Sequence, residues 1–268
     1  MAPFAVPARV VARSLSARYP NCLRSETSAR IDVARARAQH DAYIAAVRAL
    51  GVRVDVLPTD DDCPDACFIE DTAVITGARA LATRPGAPSR RAEVAPVAEE
   101  LARDLAVHRM EAPATLDGGD VLRIGSRLFV GLSSRTNAGG VEALARVAVQ
   151  DGLEVIPVTV RDGLHLKSAC SLASGSLLVL DPRVMREQDS ALFRVTGVAL
   201  LNAAEPAGAN VLALGDAVLV SAAAPGTAEA LRRRGLDVRV VDVSEFHKGD
   251  GALTCLSLRV PSAGCWCA

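Results

Sequence analysis

The sequence predicts a five-bladed α/β propeller, built from five ββαβ modules around a pseudo-fivefold axis with one central site. Three observations predict it. Short apolar strands begin near Val52, Leu105, Leu153, Val198 and Leu236, a period of roughly 40–55 residues, which is the repeat length of propeller and solenoid architectures. Each strand is followed by a polar cluster and then, in four cases, by a β-hairpin; the clusters are Asp65 to Asp71, Asp117 to Asp120, His165, Asn210, and Asp250 to Cys255. Finally, residues 8–15 (ARVVARSL) read as a strand with no hairpin partner before it, and residues 255–260 (CLSLRV) as a strand with none after it. Pairing the two termini would close a ring and remove an exposed sheet edge. The expectation is one domain over residues 1–268. An open, doubly wound α/β sheet is the competing fold, but Gly118-Gly119 precedes a strand rather than a helix, so the Gly-rich phosphate fingerprint of that class is missing.

The elements follow in order. Residues 29–50 place Ile31, Ala34, Ala38, Ala42, Ala45 and Ala49 at helical spacing. A second helix, residues 94–105, opens near Pro96. In the next module residues 128–132 form a strand, and Asn137 caps a helix over 137–150 that ends near Asp151-Gly152. Residues 153–158 form the strand after it. A fourth helix falls around 183–195, and a fifth over 227–234 follows a Pro-Gly stop. The turns Gly77-Ala78-Arg79, Gly125-Ser126-Arg127, Ser174-Gly175-Ser176 and Gly215-Asp216 each separate two apolar runs, as hairpins require.

Composition narrows the function. Half of the 268 residues are hydrophobic but only 3% are aromatic, so the core is built from Ala, Val and Leu. Thirty basic and 31 acidic residues leave a net charge of −1 without long runs of one sign, which excludes nucleic acid and anionic membranes as expected partners. A small molecule is the default ligand. The N-terminus lacks the apolar stretch and cleavage site of a secretory signal, and no run approaches the ~18 apolar residues that span a bilayer. Seven irregularly spaced cysteines argue against a disulfide framework and for a reducing cytoplasm. Cys63–Cys67 and Cys265–Cys267 have no matching second pair, so no metal or other cofactor is expected.

The polar clusters carry chemistry. Cys255 sits at the loop-to-strand edge of the fifth cluster, where a thiol can face the hub, and thiolate is the strongest side-chain nucleophile near neutral pH. Alone, such a cysteine reads more readily as core. Of the four histidines, His40 and His108 read as surface or packing residues and His247 as part of a solvated loop. His165 is left as general acid and base, with Asp117 to orient it. Gly118-Gly119 would let backbone approach closely at the hub. The acidic cluster Asp65, Glu70, Asp71 suits a planar cation, because carboxylates bind guanidinium through paired, charge-assisted hydrogen bonds. Arginines in RPGAPSRR (84–91) and in SSRTN (133–137) suit a carboxylate. The combination describes an amino acid with a cationic side chain, whose guanidinium carbon the Cys and His would attack.

FIED (68–71), RPGAPSRR (84–91), LDGGD (116–120), GLSSRTN (131–137), GLHLKS (163–168) and DGALTC (250–255) run in order across almost the whole chain. In these motifs the sequence resembles the dimethylarginine dimethylaminohydrolases, members of the guanidine-modifying (amidinotransferase/deiminase) superfamily. The resemblance implies a five-bladed α/β propeller forming a single catalytic domain, and hydrolysis of Nω-methylated arginines to citrulline and the methylamine through a covalent Cys thiouronium. It implies Cys255 as nucleophile, His165 as acid/base and Asp117 as its support. Asp65, Glu70 and Asp71 would hold the guanidinium, and Arg90 and Arg135 the α-carboxylate. Backbone around Leu23, in a mobile lid, and around Gly249 and Asp250 would contact the amino-acid end. The expected protein is cytoplasmic, a monomer or homodimer. A deiminase acting on arginine or another N-substituted arginine is the alternative within enzymes, an amidinotransferase lacks a marked acceptor site, and an arginine-binding protein would not need both Cys255 and His165.

Overall fold

The structure, a computed structural model, describes residues 6–261; the Cys265–Cys267 pair of the sequence lies outside them. In chain order the elements are β1 (Arg9–Arg13), α1 (Val33–Ala49), β2 (Arg53–Leu57), β3 (Ala73–Ile75), β4 (Arg79–Ala82), α2 (Val94–Leu101), β5 (Ala106–Arg109), β6 (Val121–Ile124) and β7 (Arg127–Leu132). There follow α3 (Ala138–Ala148), β8 (Glu154–Thr159), α4 (Leu166–Ala169), β9 (Cys170–Ser174), β10 (Leu177–Leu180), α5 (Glu187–Arg194) and β11 (Ala199–Asn202). The last are β12 (Leu212–Leu214), β13 (Ala217–Ser221), α6 (Pro225–Arg232), β14 (Asp237–Val241), α7 (Ser244–His247) and β15 (Leu258–Val260).

These strands make five three-stranded sheets, ordered β3-β4-β5, β6-β7-β8, β9-β10-β11, β12-β13-β14 and β15-β1-β2. Each is an antiparallel pair followed by a helical crossover to a parallel third strand. The fifth sheet joins the two ends of the chain: β1 pairs antiparallel with β15, Val10 opposite Arg259. The fold is the predicted five-bladed propeller, closed by its two terminal strands. Asn137 caps α3, its side chain accepting from the Gly140 N–H. Gly125 and Gly215 hold positive φ at the two-residue hairpin turns, the conformation such turns demand.

Four local expectations are corrected. The exposed face of α1 is the one the alanine spacing marked: Ala34, Ala38, Ala42, Ala45 and Ala49 face outward, while Ala36, Tyr43, Ile44 and Val47 are buried. The magnitudes decide this, since burying a large apolar side chain such as Ile is worth roughly 1.5–3 kcal/mol against about 0.8 for a methyl-sized increment. Gln39 lies on the buried face because it accepts the Glu245 N–H and donates to Ser244. Pro225-Gly226 opens α6 instead of stopping the chain before it; proline fits the first helical position, and the Glu205 carboxylate accepts from Gly226 and Thr227 N–H. Residues 254–256 form a 3-10 turn, so Cys255 precedes β15 and is not in it. His247 ends the short helix α7 and is half-buried beside Ser221, not in a solvated loop.

What positions the site is one repeated feature. A short helical turn stands just before the first hairpin strand of every blade: Ile69–Thr72, Gly118–Asp120, α4, Pro206–Ala209 and Thr254–Leu256. Residues far apart in the chain thereby reach the hub from equivalent places.

Candidate active site

His165 is the N-cap residue of α4 and is buried. Its Nε2 lies 3.0 Å from Asp117 Oδ2 and 4.0 Å from Asp71 Oδ1. Asp117, fully buried, accepts the Gly86 N–H on its other oxygen at 2.9 Å. Asp71 accepts from Gly119 N–H and from the Arg90 guanidinium. Close backbone approach makes this possible: a Cβ on Gly119 would stand 2.6 Å from His165 Nδ1, and one on Gly118 2.0 Å from the Glu70 carbonyl oxygen. Burial disfavours the charged imidazole, but Asp71, the Asp117 hydrogen bond and Asp120 outweigh it and raise His165 from 6.5 to about 9.

Cys255 is the one cysteine among the described residues that is not fully buried. Burial, then Glu70 and Asp71, push its thiol up to about 12. At neutral pH the resting pair is therefore thiol and imidazolium. A cation placed beside Cys255 and Asp71 would reverse that bias toward thiolate.

Cys255 and His165 line one and the same cavity. Leu23, Asp65, Asp71, Arg90, Arg135, Gly249 and Asp250 also line it. Two of the sequence-predicted residues stand behind the wall. Asp117 reaches the cavity only through His165, and Glu70 has both oxygens engaged, one by Lys167 and one by the Thr254 hydroxyl. Glu70 therefore faces the turn that carries Cys255, not the place expected for a guanidinium.

The two arginines differ. Arg90 is buried and held by Asp71, Glu93 and the carbonyls of Asp65 and Phe68, so most of its donors are spent inside the protein. Arg135 Nη1 is buried with no hydrogen-bond partner, and a charged donor left unpaired at a cavity wall is what an incoming carboxylate would satisfy. Around the mouth, the Asp65 carboxylate accepts the Leu23 N–H at 3.0 Å, and the Asp250 carboxylate accepts both the N–H and the hydroxyl of Ser25. These bonds hold the segment around Leu23 over the cavity. Asp250 adopts φ +58°, and Gly249 has room for no side chain because Tyr19 Oη and Cys22 Sγ lie 2.6 and 3.0 Å from where a Cβ would be.

Ligand atoms of Asp71, Asp117 and His165 lie within 4.8 Å of one another. Their surroundings suit a proton better than a metal ion, because the carboxylates already accept from Arg90 and two backbone N–H groups and His165 is held as imidazolium.

A profile of the family described as "N,N dimethylarginine dimethylhydrolase, eukaryotic" matches residues 7–189. The chain belongs to the dimethylarginine dimethylaminohydrolase family. It is 42% identical over 234 residues to the N(G),N(G)-dimethylarginine dimethylaminohydrolase of Streptomyces coelicolor, covering 86% of this chain and 88% of that one. The Pseudomonas aeruginosa protein of the same name is 34% identical over 253 residues, 93% and 98% of the two chains. A structure of a Cys-to-Ser variant of the Pseudomonas aeruginosa enzyme, complexed with citrulline, superimposes with a TM-score of 0.88 at 32% identity, covering 95% of this chain and 99% of that one.

Within the dimethylarginine dimethylaminohydrolase fold, sequence reasoning gave no role to the residues that hold the site from behind, although Asp120, Asn210 and Thr254 lie in its polar clusters. Asp120 accepts from Ser133, Thr136 and the Leu166 N–H, tying the Arg135 and His165 segments together. Glu93 clamps Arg90. Lys167, Asn210 and Thr254 surround Glu70 and each other. An acid three residues after Arg90 and a polar residue at the equivalent turn of most blades were the available signals.

Proposed function

We propose that the protein is a cytoplasmic, cofactor-free hydrolase whose five modules form one catalytic domain, converting Nω-methylated arginines to citrulline and the methylamine. The observation that carries this reading is the shared cavity: a thiol, an imidazolium and carboxylates line it together with an unpartnered arginine donor. That set of charges fits a free amino acid with a guanidinium side chain.

The bound guanidinium lies against Asp71 and Asp65, and its positive charge favours the Cys255 thiolate, whose proton is released to solvent. Thiolate attacks the central guanidinium carbon, forming a C–S bond and a tetrahedral adduct. His165 gives its proton to the methylated nitrogen, the C–N bond breaks, and the neutral amine departs from an S-linked thiouronium on Cys255. The imidazole, now a base, takes a proton from water as its oxygen attacks the same carbon. Collapse breaks the C–S bond as the hydroxyl proton of the adduct passes to sulfur, leaving the ureido group of citrulline and restoring the Cys255 thiol. Proton donation matters because an amide-like nitrogen leaves badly as an anion.

The test is product analysis with asymmetric dimethylarginine, monomethylarginine and arginine, following citrulline and the released amine. Methylated substrates are expected to have the higher kcat/KM. A methyl-sized contact discriminates by only about 1–3 kcal/mol, so a preference for plain arginine would reassign the protein as a deiminase. Arg135→Leu is expected to raise KM by roughly 10- to 100-fold, the scale of a charge-assisted hydrogen bond, with kcat little changed. Equal KM values would remove Arg135 from the carboxylate role.

A further inference from the structure

Under Cys255 the hub is closed by a ring of four buried polar side chains, one from each of four blades: Glu70, Lys167, Asn210 and Thr254. The Lys167 ammonium donates to Glu70 Oε1, and Thr254 Oγ1 donates to Glu70 Oε2 at 2.8 Å. Asn210 Nδ2 donates to the Lys167 carbonyl at 2.9 Å and to Thr254 Oγ1 at 3.0 Å, while the Thr254 N–H donates to Asn210 Oδ1 at 3.0 Å. The ring separates two spaces. Cys255 lines the cavity on one side, and Glu70, Lys167 and Thr254 line a second, largely apolar cavity on the other.

We propose that Lys167 is a positioning residue for the reaction: through Glu70 and Thr254 it sets the 3-10 turn that aims the Cys255 sulfur. The inference rests on Cys255 being the nucleophile. A buried carboxylate is costly unless it is paired with a cation, and Lys167 is the cation bonded to Glu70. Glu70 in turn holds the Thr254 hydroxyl as an acceptor, and Thr254 is the residue immediately before Cys255. A neutral side chain at position 167 would strand that charge beside the turn that carries the sulfur. Lys167 itself does not line the cavity around Cys255, so it acts on the substrate through other residues, and the bonds of its ammonium lead through Glu70 to the turn.

The experiment compares Lys167→Met, Glu70→Gln and the double variant with wild type. Lys167→Met is expected to lower kcat by about 30- to 100-fold, the cost of a slightly misplaced reacting atom, with KM within about twofold. In the double variant the carboxamide introduced by Glu70→Gln still accepts the Thr254 hydroxyl and leaves no buried charge. Its kcat is therefore expected to recover by about fivefold or more over Lys167→Met, a coupling that independent sites do not show. Folded Lys167→Met with wild-type kcat, or losses that simply multiply in the double variant, would overturn the proposal. If Lys167→Met does not fold, Thr254 decides. Thr254→Val should lower kcat and Thr254→Ser, which keeps the hydroxyl, should restore it; a wild-type kcat in Thr254→Val overturns the proposal as well. Labelling with a haloacetamidine and mass spectrometry separates the two readings. Modification of a cysteine other than Cys255 removes the nucleophile assignment itself, whereas Cys255 labelling with unaltered Lys167→Met kinetics removes only the role of Lys167.

Discussion

Cys255→Ser is expected to abolish turnover, lowering kcat by on the order of 10⁶, the scale on which loss of a nucleophile acts. The surroundings make the loss severe. Burial, Glu70 and Asp71 already resist a negative charge on sulfur and push the thiol up to about 12. A hydroxyl ionises far less readily than a thiol, so a cation that brings the sulfur into range cannot do so for oxygen. The fold should survive, because the exchange is nearly isosteric and Cys255 sits within a 3-10 turn rather than a strand. The measurements are citrulline formation, circular dichroism, and retention of substrate binding by calorimetry. The same variant should no longer be alkylated by a haloacetamidine, while the cysteines buried elsewhere, Cys22, Cys63, Cys67 and Cys170, stay unmodified in both proteins. Citrulline produced by Cys255→Ser at near wild-type rate would move the chemistry to another residue.

His165→Asn is expected to cost roughly 10²–10⁴ in kcat, the usual contribution of a positioned proton donor and acceptor. The electrostatics can be tested directly. His165 is raised from 6.5 to about 9, because Asp71, Asp117 and Asp120 together outweigh burial. A group raised by carboxylates holds its proton at neutral pH and loses it as pH climbs through the shifted value. Nuclear magnetic resonance titration of the His165 ring in the free protein should therefore show a midpoint near 9. Asp117→Asn removes a negative acceptor that favours the imidazolium, so the midpoint must fall; kcat falls with it because the ring loses both its orientation and its readiness to donate. A midpoint near 6.5 in the wild type, the unshifted value, would mean the imidazole rests neutral and the first proton transfer needs another source.

Much of the architecture was legible because it repeats. Apolar strands at a regular interval, turn residues between paired runs and an unpartnered strand at each end leave few ways to bury the chain, and β1 does pair with β15. The clusters holding Cys255, His165 and Asp117 were legible for the same reason, since equivalent positions in a repeat converge on its axis. Local signals failed where size and partner chemistry outweigh period. In α1 the regular row of alanines lies outside, because Tyr43, Ile44 and Val47 gain more from burial. Arg90 and Glu70 carried the right charges for a ligand, but Arg90 is held within its own module by Asp71 and by Glu93 three residues on, and the pairing of Glu70 with Lys167 is visible only once distant blades meet.

By itself, then, the order of residues determined a closed ring of five modules and which polar clusters stand at its hub, because hydrophobic period and turn chemistry act over a few residues at a time. Tertiary structure alone decided which of those groups face the cavity and in what charge state. Arg135 keeps an unpaired buried donor while Arg90 does not, and His165 holds a proton while Cys255 keeps its own. The physical reason is that ionisation and hydrogen-bond satisfaction depend on burial and on charges a few ångströms away, contributed by segments far apart in the chain, as Glu70 and Thr254 are at a separation of 184 residues.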